Sequence, residues 1–288
     1  MSRIEKALEK AIALRESSND FAKKEALDST TDTSQPVYVA AEGCIDCAGV
    51  DKHLISITDP YSAAGEQYKK LRARLLRSTR KDAKNTIMIT SSDVGEGKTV
   101  TAINLAATLS QEIDHTVLLV DADLRKPSIH SYLGIRPERG LSDYLRGEVD
   151  LRDVLIKTGI GKLTVLPGGS PTDEAPELLS SERMKSLVNE LKFRYKDRYI
   201  IFDSSPMLVT SDPLSLGGYM DGVLFVIQEG RTSQKAALQS TALMKGWNVL
   251  GVVFNNVPEY LTRRVYPYYY RYGKGSDTEK SNGDRKKL

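Results

Sequence analysis

Short apolar segments alternate with longer amphipathic segments between about residue 55 and residue 258. The apolar segments have the length of buried β-strands, and most of them are separated by segments with helical periodicity. Strands joined by helices form right-handed βαβ crossovers and build a buried, mainly parallel sheet, so the pattern predicts an α/β fold. The predicted strands are 86–90, 116–120, 162–166, 198–202, 222–227 and 249–254, and predicted helices include 99–111, 177–192 and 232–246.

The first predicted strand runs into a glycine-rich loop that is followed by a helix. The loop sequence SSDVGEGKT (91–99) matches the end of the P-loop pattern, with Ser92 where its first glycine usually stands. Gly95 and Gly97 allow a tight turn that points backbone N–H groups and the helix N-terminus at phosphates. The alternative dinucleotide pattern G-x-G-x-x-G fails, because Val100 stands at its third glycine position.

A P-loop assigns roles to its individual residues. Lys98 is expected to reach the β- and γ-phosphate oxygens of ATP, and the Thr99 hydroxyl is expected to bind Mg²⁺. The predicted nucleotide-binding residues of this loop are Val94, Gly95, Glu96, Gly97, Lys98, Thr99 and Val100.

Carboxylates follow two of the other predicted strands. Asp121 and Asp123 come directly after the apolar run that ends at Val120, and Asp203 comes directly after the run that ends at Phe202. A single aspartate at such a place is more often a helix cap or a turn residue. Three of them downstream of a P-loop favour metal binding and proton transfer, with Thr99, Asp123 and Asp203 as predicted Mg²⁺ ligands.

Composition excludes several classes of protein. The chain has 288 residues, of which 40% are hydrophobic and 27% charged, so wholesale disorder, collagen and coiled coils are excluded. No uninterrupted apolar run exceeds five residues, and the N-terminus has no apolar signal region, so we expect a cytoplasmic protein. Two cysteines do not make a disulfide framework.

The N-terminal 54 residues differ in character from the rest. Residues 2–16 predict an amphipathic helix with an S-x-x-E capping box, and residues 17–54 predict a flexible linker ahead of a domain that spans 55–258. Cys44 and Cys47 lie in this linker and are either two free thiols or half of a zinc site.

The C-terminal segment 259–288 combines tyrosines with basic residues. It holds eight basic and four acidic residues. A tail of this composition favours a mobile substrate over nucleic-acid or membrane-surface binding, because no nucleic-acid-binding fold accompanies it. Five of the chain's 14 tyrosines stand within seven residues: Tyr266, Tyr268, Tyr269, Tyr270 and Tyr272.

Over about residues 55–272 the chain resembles the bacterial tyrosine kinases, a branch of P-loop ATPases related to the MinD/ParA group. The resemblance rests on the loop 91–99, VDADLRKP (120–127), PELL (176–179), FDSSP (202–206) and the tyrosine-rich end. It implies that Lys98 and Thr99 are the Walker A pair, that Asp121 and Asp123 are the Walker A′ carboxylates and that Asp203 is the Walker B carboxylate. It also implies that Asn255 contacts adenine.

The sequence departs from related patterns at three places. Asp93 stands where the MinD/ParA group has a second lysine, which argues against the dimer switch of that group. Ser205 replaces the first proline of the usual Asp-Thr-Pro-Pro. The segment with Glu66, Lys69 and Arg72 resembles the family's oligomer-interface motif, but lysine replaces its first arginine and lacks the bidentate fork.

Together, residues and resemblance predict phosphoryl transfer from ATP and Mg²⁺ to a tail tyrosine of a neighbouring copy within a ring-shaped homo-oligomer. Asp121 is the predicted proton acceptor, and Lys98 and Asp123 complete the catalytic set. The resemblance further implies regulation of exopolysaccharide or capsule synthesis and export. It implies two partners, a protein-tyrosine phosphatase and a separate membrane activator of the polysaccharide co-polymerase type that recruits the protein to the inner face of the plasma membrane.

Three alternatives remain from the sequence. A MinD/ParA-like partitioning or localisation ATPase would not need the tyrosine tail and would carry lysine in place of Asp93. A metal-cluster carrier ATPase is suggested by Cys44 and Cys47, although related families place such a pair after the nucleotide core. A binding module would use ATP only structurally, without turnover.

Overall fold

The computed structural model describes residues 41–42, 49–80, 84–194 and 197–258. The strands are β1 (Ala41–Glu42), β2 (Thr86–Ser91), β3 (Thr116–Asp121), β4 (Ile156–Lys157), β5 (Leu163–Leu166), β6 (Arg198–Asp203), β7 (Gly222–Gln228) and β8 (Val249–Asn255). The helices are α1 (Ile55–Thr58), α2 (Ala63–Thr79), α3 (Lys98–Leu109), α4 (Ile129–Tyr132), α5 (Leu141–Arg146), α6 (Leu151–Val154), α7 (Ala175–Ser180), α8 (Glu182–Arg194), α9 (Asp212–Gly217) and α10 (Gln234–Leu243).

The strands form one eight-stranded sheet in the order β1-β4-β5-β3-β6-β2-β7-β8. Each neighbouring pair is parallel except β4 and β5. β3, β6 and β2 therefore lie side by side at the centre and end at the same edge of the sheet. This confirms the predicted α/β fold with a mainly parallel sheet, and it places the loops after these three strands next to one another.

The central strands are buried on both faces, as expected of parallel strands between helical layers. All six residues of β2 are buried, and only the first residue of β3 and of β6 is partly exposed. α3 packs on β2, β3 and β6 with one side and on α1 and α2 with the other. Each fully buried leucine or isoleucine in this core contributes about 1.5–3 kcal/mol, so the strand ends that carry the polar residues rest on a rigid base.

One predicted helix is divided in two. The sequence predicts a continuous helix over 177–192, whereas α7 ends at Ser180 and α8 begins at Glu182. Ser181 has an extended backbone (φ −66°, ψ 152°), and its hydroxyl accepts a hydrogen bond from the Met184 amide at 3.1 Å. Ser181 therefore caps the N-terminus of α8, which the apolar periodicity on both sides of it does not reveal.

The ordered domain includes residues N-terminal of residue 55, where the sequence analysis places the boundary. β1 pairs with β4, and Leu54 is fully buried in the hydrophobic core. The predicted helix 2–16, both cysteines and the tail 259–288 lie outside the described residues. Within the described residues, no helix has the length and apolar character needed to cross a bilayer.

Candidate active site

The glycine-rich loop joins β2 to α3 at the centre of the sheet edge. Gly95 and Gly97 both have positive φ angles, 78° and 88°. Residues with side chains rarely adopt this conformation, so the loop turns as the glycine spacing predicts. Lys98 is the first residue of α3, and the N-terminus of this 12-residue helix faces the loop. The loop therefore has the geometry of a phosphate cradle.

A buried carboxylate holds this loop from the inside. The Glu96 side chain accepts hydrogen bonds from the amides of Ser92 (2.7 Å) and Asp93 (3.0 Å) and from the hydroxyl of Thr232 (2.5 Å). Only 1% of Glu96 is exposed. Its side chain thus serves the loop rather than a ligand, and of the predicted nucleotide-binding group Glu96 offers its backbone alone.

The end of β8 lies against the same loop. The Asn255 side-chain amide donates a hydrogen bond to the Glu96 carbonyl at 3.0 Å. A Cβ on Gly97 would lie 2.0 Å from Asn255 Nδ2, so residue 97 must be glycine for the two to meet. Asn255 is therefore brought to the predicted site, although its predicted contact with adenine stays a prediction.

Lys98 and Thr99 meet the carboxylates of the neighbouring strand ends. Lys98 Nζ lies 2.8 Å from Asp123 Oδ2 and 3.7 Å from Asp203 Oδ1. The Thr99 hydroxyl donates to Asp203 Oδ2 at 2.6 Å. The structure thus brings all three predicted Mg²⁺ ligands together around one lysine.

Asp121 completes this group. It stands beside Asp203 in the parallel register of β3 and β6. Its Oδ2 accepts hydrogen bonds from the amides of Ser128 (2.8 Å) and Ile129 (3.0 Å). Its Oδ1 has no hydrogen-bond partner among the described residues, and neither has Oδ1 of Asp203. An ionised oxygen without a partner is costly in a buried place, so the pair is suited to a cation or a proton.

The surroundings raise the pKa of three of these groups, Asp121, Asp203 and Lys98. Burial, with a further contribution from the charge of Asp203, raises the pKa of Asp121 to about 7. Burial also raises the pKa of Asp203 to about 6, against the opposing effect of Lys98. Burial alone would lower the pKa of Lys98, but the carboxylates of Asp203 and Asp123 more than offset it and the pKa is raised. Lys98 therefore stays charged, while Asp121 and Asp203 titrate near neutral pH.

The residues present fit a nucleotide with Mg²⁺. No cluster of three or more His, Cys, Asp or Glu side chains in the described ranges forms a complete metal site by itself. A P-loop site does not need one, because phosphate oxygens and water supply most of the ligands of Mg²⁺. The Asp203 carboxylate, whose Oδ1 lacks a hydrogen bond within the described residues, the Asp123 carboxylate and the Thr99 hydroxyl are hard oxygen donors of the kind that Mg²⁺ prefers.

The residues of the predicted oligomer interface lie on α2 and pair within the chain. Lys69 Nζ lies 2.5 Å from Glu66, and Arg72 Nε lies 2.9 Å from Glu112. Arg72 also donates to the Thr108 carbonyl at 3.0 Å. Arg72 therefore ties α2 to the end of α3, while an interface role for the three residues stays a prediction.

Sequence reasoning missed a partly buried ion pair behind the site. Arg125 Nε lies 3.1 Å from Asp212 Oδ2, and Asp212 also accepts a hydrogen bond from the Ser205 hydroxyl at 3.2 Å. This pair joins the loop after β3 to the first residue of α9, so it links the segments that follow Asp121 and Asp203. The only signal was the position of Arg125 inside VDADLRKP, since Asp212 lies outside every motif.

The fold and the loop define a P-loop nucleotide-binding protein. In agreement, residues 84–241 match the family model described as AAA domain. This region contains the cradle, the two strand ends that carry the three aspartates, and the turn that holds Thr232.

More specific relatives are also found. The chain is 33% identical over 208 residues to tyrosine-protein kinase YwqD of Bacillus subtilis, which covers 72% of this chain and 86% of that protein. It is 32% identical to tyrosine-protein kinase etk of Escherichia coli over 70% of this chain, but only 28% of that longer protein is covered. The solved kinase domain of ETK has a TM-score of 0.67 and 32% identity, with 71% of this chain and 80% of that chain covered. The chain belongs to the bacterial tyrosine kinase family.

Proposed function

We propose that this protein is an ATP-dependent tyrosine autokinase that phosphorylates its C-terminal tyrosine cluster, residues 266–272. The observation that carries the proposal is a pair of buried oxygens, Oδ1 of Asp121 and Oδ1 of Asp203, that lack a hydrogen bond within the described residues and lie in a P-loop site with Lys98. Family membership supports the choice of tyrosine as acceptor, and the five tyrosines of the tail supply acceptors on the same chain.

The first step is the binding of ATP with Mg²⁺. In the free protein Lys98 lies 2.8 Å from Asp123. When ATP binds, Lys98 leaves Asp123 and contacts the β- and γ-phosphates, because the phosphates carry more negative charge than a single carboxylate. Thr99, Asp123 and Asp203 are the proposed holders of Mg²⁺, which neutralises phosphate charge when it is bound. The loop N–H groups and Lys98 then stabilise charge on the transferring phosphoryl group.

The second step is transfer to the phenol. The phenol oxygen bonds to the γ-phosphorus, and the bond from that phosphorus to the β–γ bridging oxygen breaks to release ADP. Asp121 accepts the phenol proton, because the pKa of a free phenol near 10 leaves it protonated at neutral pH. The pKa of Asp121, raised to about 7, supports this role, since such a carboxylate both takes up and releases a proton near pH 7.

The acceptor belongs to a neighbouring copy in this proposal, so the reaction runs in trans within a homo-oligomer. Each phosphate adds about −1.5 to −2 charge, and several would reverse the basic character of the tail and weaken the assembly. The family resemblance supports a role in exopolysaccharide or capsule synthesis, with a membrane activator and a phosphatase as partners.

A mixing experiment tests both the reaction and its direction. One chain is Lys98→Met with an intact tail, and the other is an active chain in which all five tail tyrosines are phenylalanine. Incubated separately with labelled ATP and Mg²⁺, neither is expected to gain label in the tail; mixed, the Lys98→Met chain gains label at residues 266–272.

Two results would contradict the proposal. Wild-type protein that hydrolyses ATP without forming phosphotyrosine would favour a localisation ATPase. Label in wild type but none in the mixture would retain the kinase and exclude transfer between copies. The activator's cytoplasmic segment is added in a parallel arm, so that a need for activation is not taken for inactivity.

A further inference from the structure

An arginine from outside the recognised motifs lies on the P-loop. Its guanidinium packs against Gly95: a Cβ on residue 95 would lie 3.0 Å from Nη1 and from Nη2 of Arg231 and 3.1 Å from its Cζ. Arg231 belongs to the turn between β7 and α10. The guanidinium therefore occupies the space that a side chain on Gly95 would need, at the rim of the phosphate cradle.

This guanidinium has no counter-ion in the described part of the chain. Other arginines do have one: Arg72 pairs with Glu112, Arg125 with Asp212 and Arg146 with Glu174. Arg231 makes neither an ion pair nor a side-chain hydrogen bond to any described residue. A guanidinium offers five N–H donors in a planar fork that matches a phosphate group.

The turn that carries Arg231 is fixed to the P-loop. The amides of Arg231 and Thr232 both donate to the Gln228 carbonyl, at 3.2 and 3.0 Å. The Thr232 hydroxyl accepts from the Gln228 amide at 2.8 Å and donates to Glu96 at 2.5 Å. Glu96 also binds two amides of the P-loop, so it connects the turn to the loop. Thr232, which is next to Arg231 in the chain, therefore fixes the position of Arg231 relative to the P-loop.

We propose that Arg231 binds the phosphates of the nucleotide from the rim of the P-loop, as a second cation beside Lys98, and that Thr232 is its positioning residue. The inference rests on the proposed function only in taking a nucleoside triphosphate as the ligand. Lys98 approaches the phosphates from inside the loop and Arg231 from outside it. The more phosphate charge the ligand carries, the more Arg231 contributes to its affinity.

The test measures the dissociation constants of a non-hydrolysable ATP analogue with Mg²⁺, of ADP and of adenosine, by calorimetry on the full chain. Arg231→Ala is expected to raise the constant for the ATP analogue about 10-fold and that for ADP less, and to leave adenosine unchanged. Arg231→Lys is expected to lie in between. Lys235→Ala, which removes an exposed cation from the neighbouring helix, is the matched control and should change affinity less than two-fold.

Positioning is tested with Thr232→Val, which removes the hydroxyl and keeps the shape. It should weaken binding of the ATP analogue about 3- to 10-fold, and the double variant Arg231→Ala/Thr232→Val should bind no more weakly than Arg231→Ala alone. Thr232→Ser should restore wild-type affinity. If the fold-changes in affinity of the two single variants instead multiply in the double variant, Thr232 and Arg231 contribute independently, and the positioning role of Thr232 is overturned.

The remaining outcomes each decide the proposal. The proposal is overturned if Arg231→Ala binds the ATP analogue within two-fold of the wild-type affinity. It is also overturned if Arg231→Ala loses as much affinity for adenosine as for the ATP analogue, or if Lys235→Ala loses as much affinity for the ATP analogue as Arg231→Ala does. A wild type that binds the analogue but forms no phosphotyrosine contradicts the proposed function alone. A wild type that binds no nucleotide contradicts both.

Discussion

Two buried regions at the same edge of the sheet differ in how far the hydrogen-bonding capacity of their carboxylates is satisfied. Under the P-loop, the Glu96 carboxylate receives two amides and one hydroxyl. At the ends of β3 and β6, Asp121 and Asp203 are fully buried but each keeps one oxygen without a hydrogen bond to the described residues. A satisfied buried carboxylate stabilises a loop, whereas an unsatisfied pair stores electrostatic energy that a bound cation releases. The contrast separates residues that build the site from residues that act in it.

The largest expected effect is on activity at the unsatisfied pair. Asp203→Asn keeps an oxygen for the Thr99 hydroxyl but removes the charge, so tyrosine phosphorylation should fall about 100- to 1000-fold. Phosphotyrosine formation with labelled ATP measures it. The exposed Asp114→Asn variant is the control and should keep full activity. If Asp203→Asn kept activity within a few-fold of wild type, Asp203 would have no essential role in the phosphorylation reaction.

The satisfied carboxylate should matter for stability instead. Glu96→Ala leaves two buried amides without their acceptor, and the free energy of unfolding should fall by about 2–4 kcal/mol. Glu96→Gln still accepts from the amides and donates to Thr232, so it should lose about 1 kcal/mol or less. Urea unfolding at pH 7 measures both. Equal losses in the two variants would show that charge, and not hydrogen bonding, holds the loop.

The unsatisfied pair should also give the stability of the free protein a pH dependence. The pKa of Asp121 is raised from 3.8 to about 7 by burial first and by Asp203 second, so the folded state holds this proton more tightly than the unfolded state. The contribution to stability is complete below about pH 4 and is lost as the pH rises through about 7.

Asp121→Asn cannot titrate and therefore escapes this loss. Relative to wild type, its free energy of unfolding should improve by roughly 3–4 kcal/mol between pH 4 and pH 8, without nucleotide or metal. Comparing two pH values cancels the constant effect of the substitution on the hydrogen bonds of Ser128 and Ile129. Parallel stability curves for the two proteins would contradict the shifted pKa.

The smallest effect on stability is expected on α2. The Lys69–Glu66 pair is partly exposed, so Lys69→Ala should change the free energy of unfolding by less than about 0.5 kcal/mol. If α2 carries the oligomer interface, the same variant should lower the oligomer mass in light scattering. Arg72→Ala is a poorer choice, because it also breaks contacts with Glu112 and Thr108. An unchanged mass in Lys69→Ala would contradict the interface prediction.

The sequence predicts most of the arrangement of Asp121 and Asp203 at the strand ends, but little of the hydrogen bonding around Glu96. Asp121 and Asp203 stand at the ends of apolar strands, and parallel strands bring such ends together, so their meeting follows from local patterns. The bond from Thr232 to Glu96 joins residues 136 positions apart, and no local pattern reports it. The same holds for Arg125 and Asp212, which are 87 positions apart. Sequence therefore reveals residues whose place depends on a strand end, and it misses those whose role depends on a tertiary contact.

The most direct test of this contrast is a carboxyl titration by NMR on free protein labelled with ¹³C at aspartate and glutamate, with Asp121→Asn and Asp203→Asn to assign the signals. We expect Asp121 and Asp203 to titrate with apparent pKa values between about 6 and about 7, and ATP with Mg²⁺ to lower that of Asp203, the proposed Mg²⁺ ligand. Carboxyls that all titrate below about pH 4.5 in the free protein would contradict this expectation.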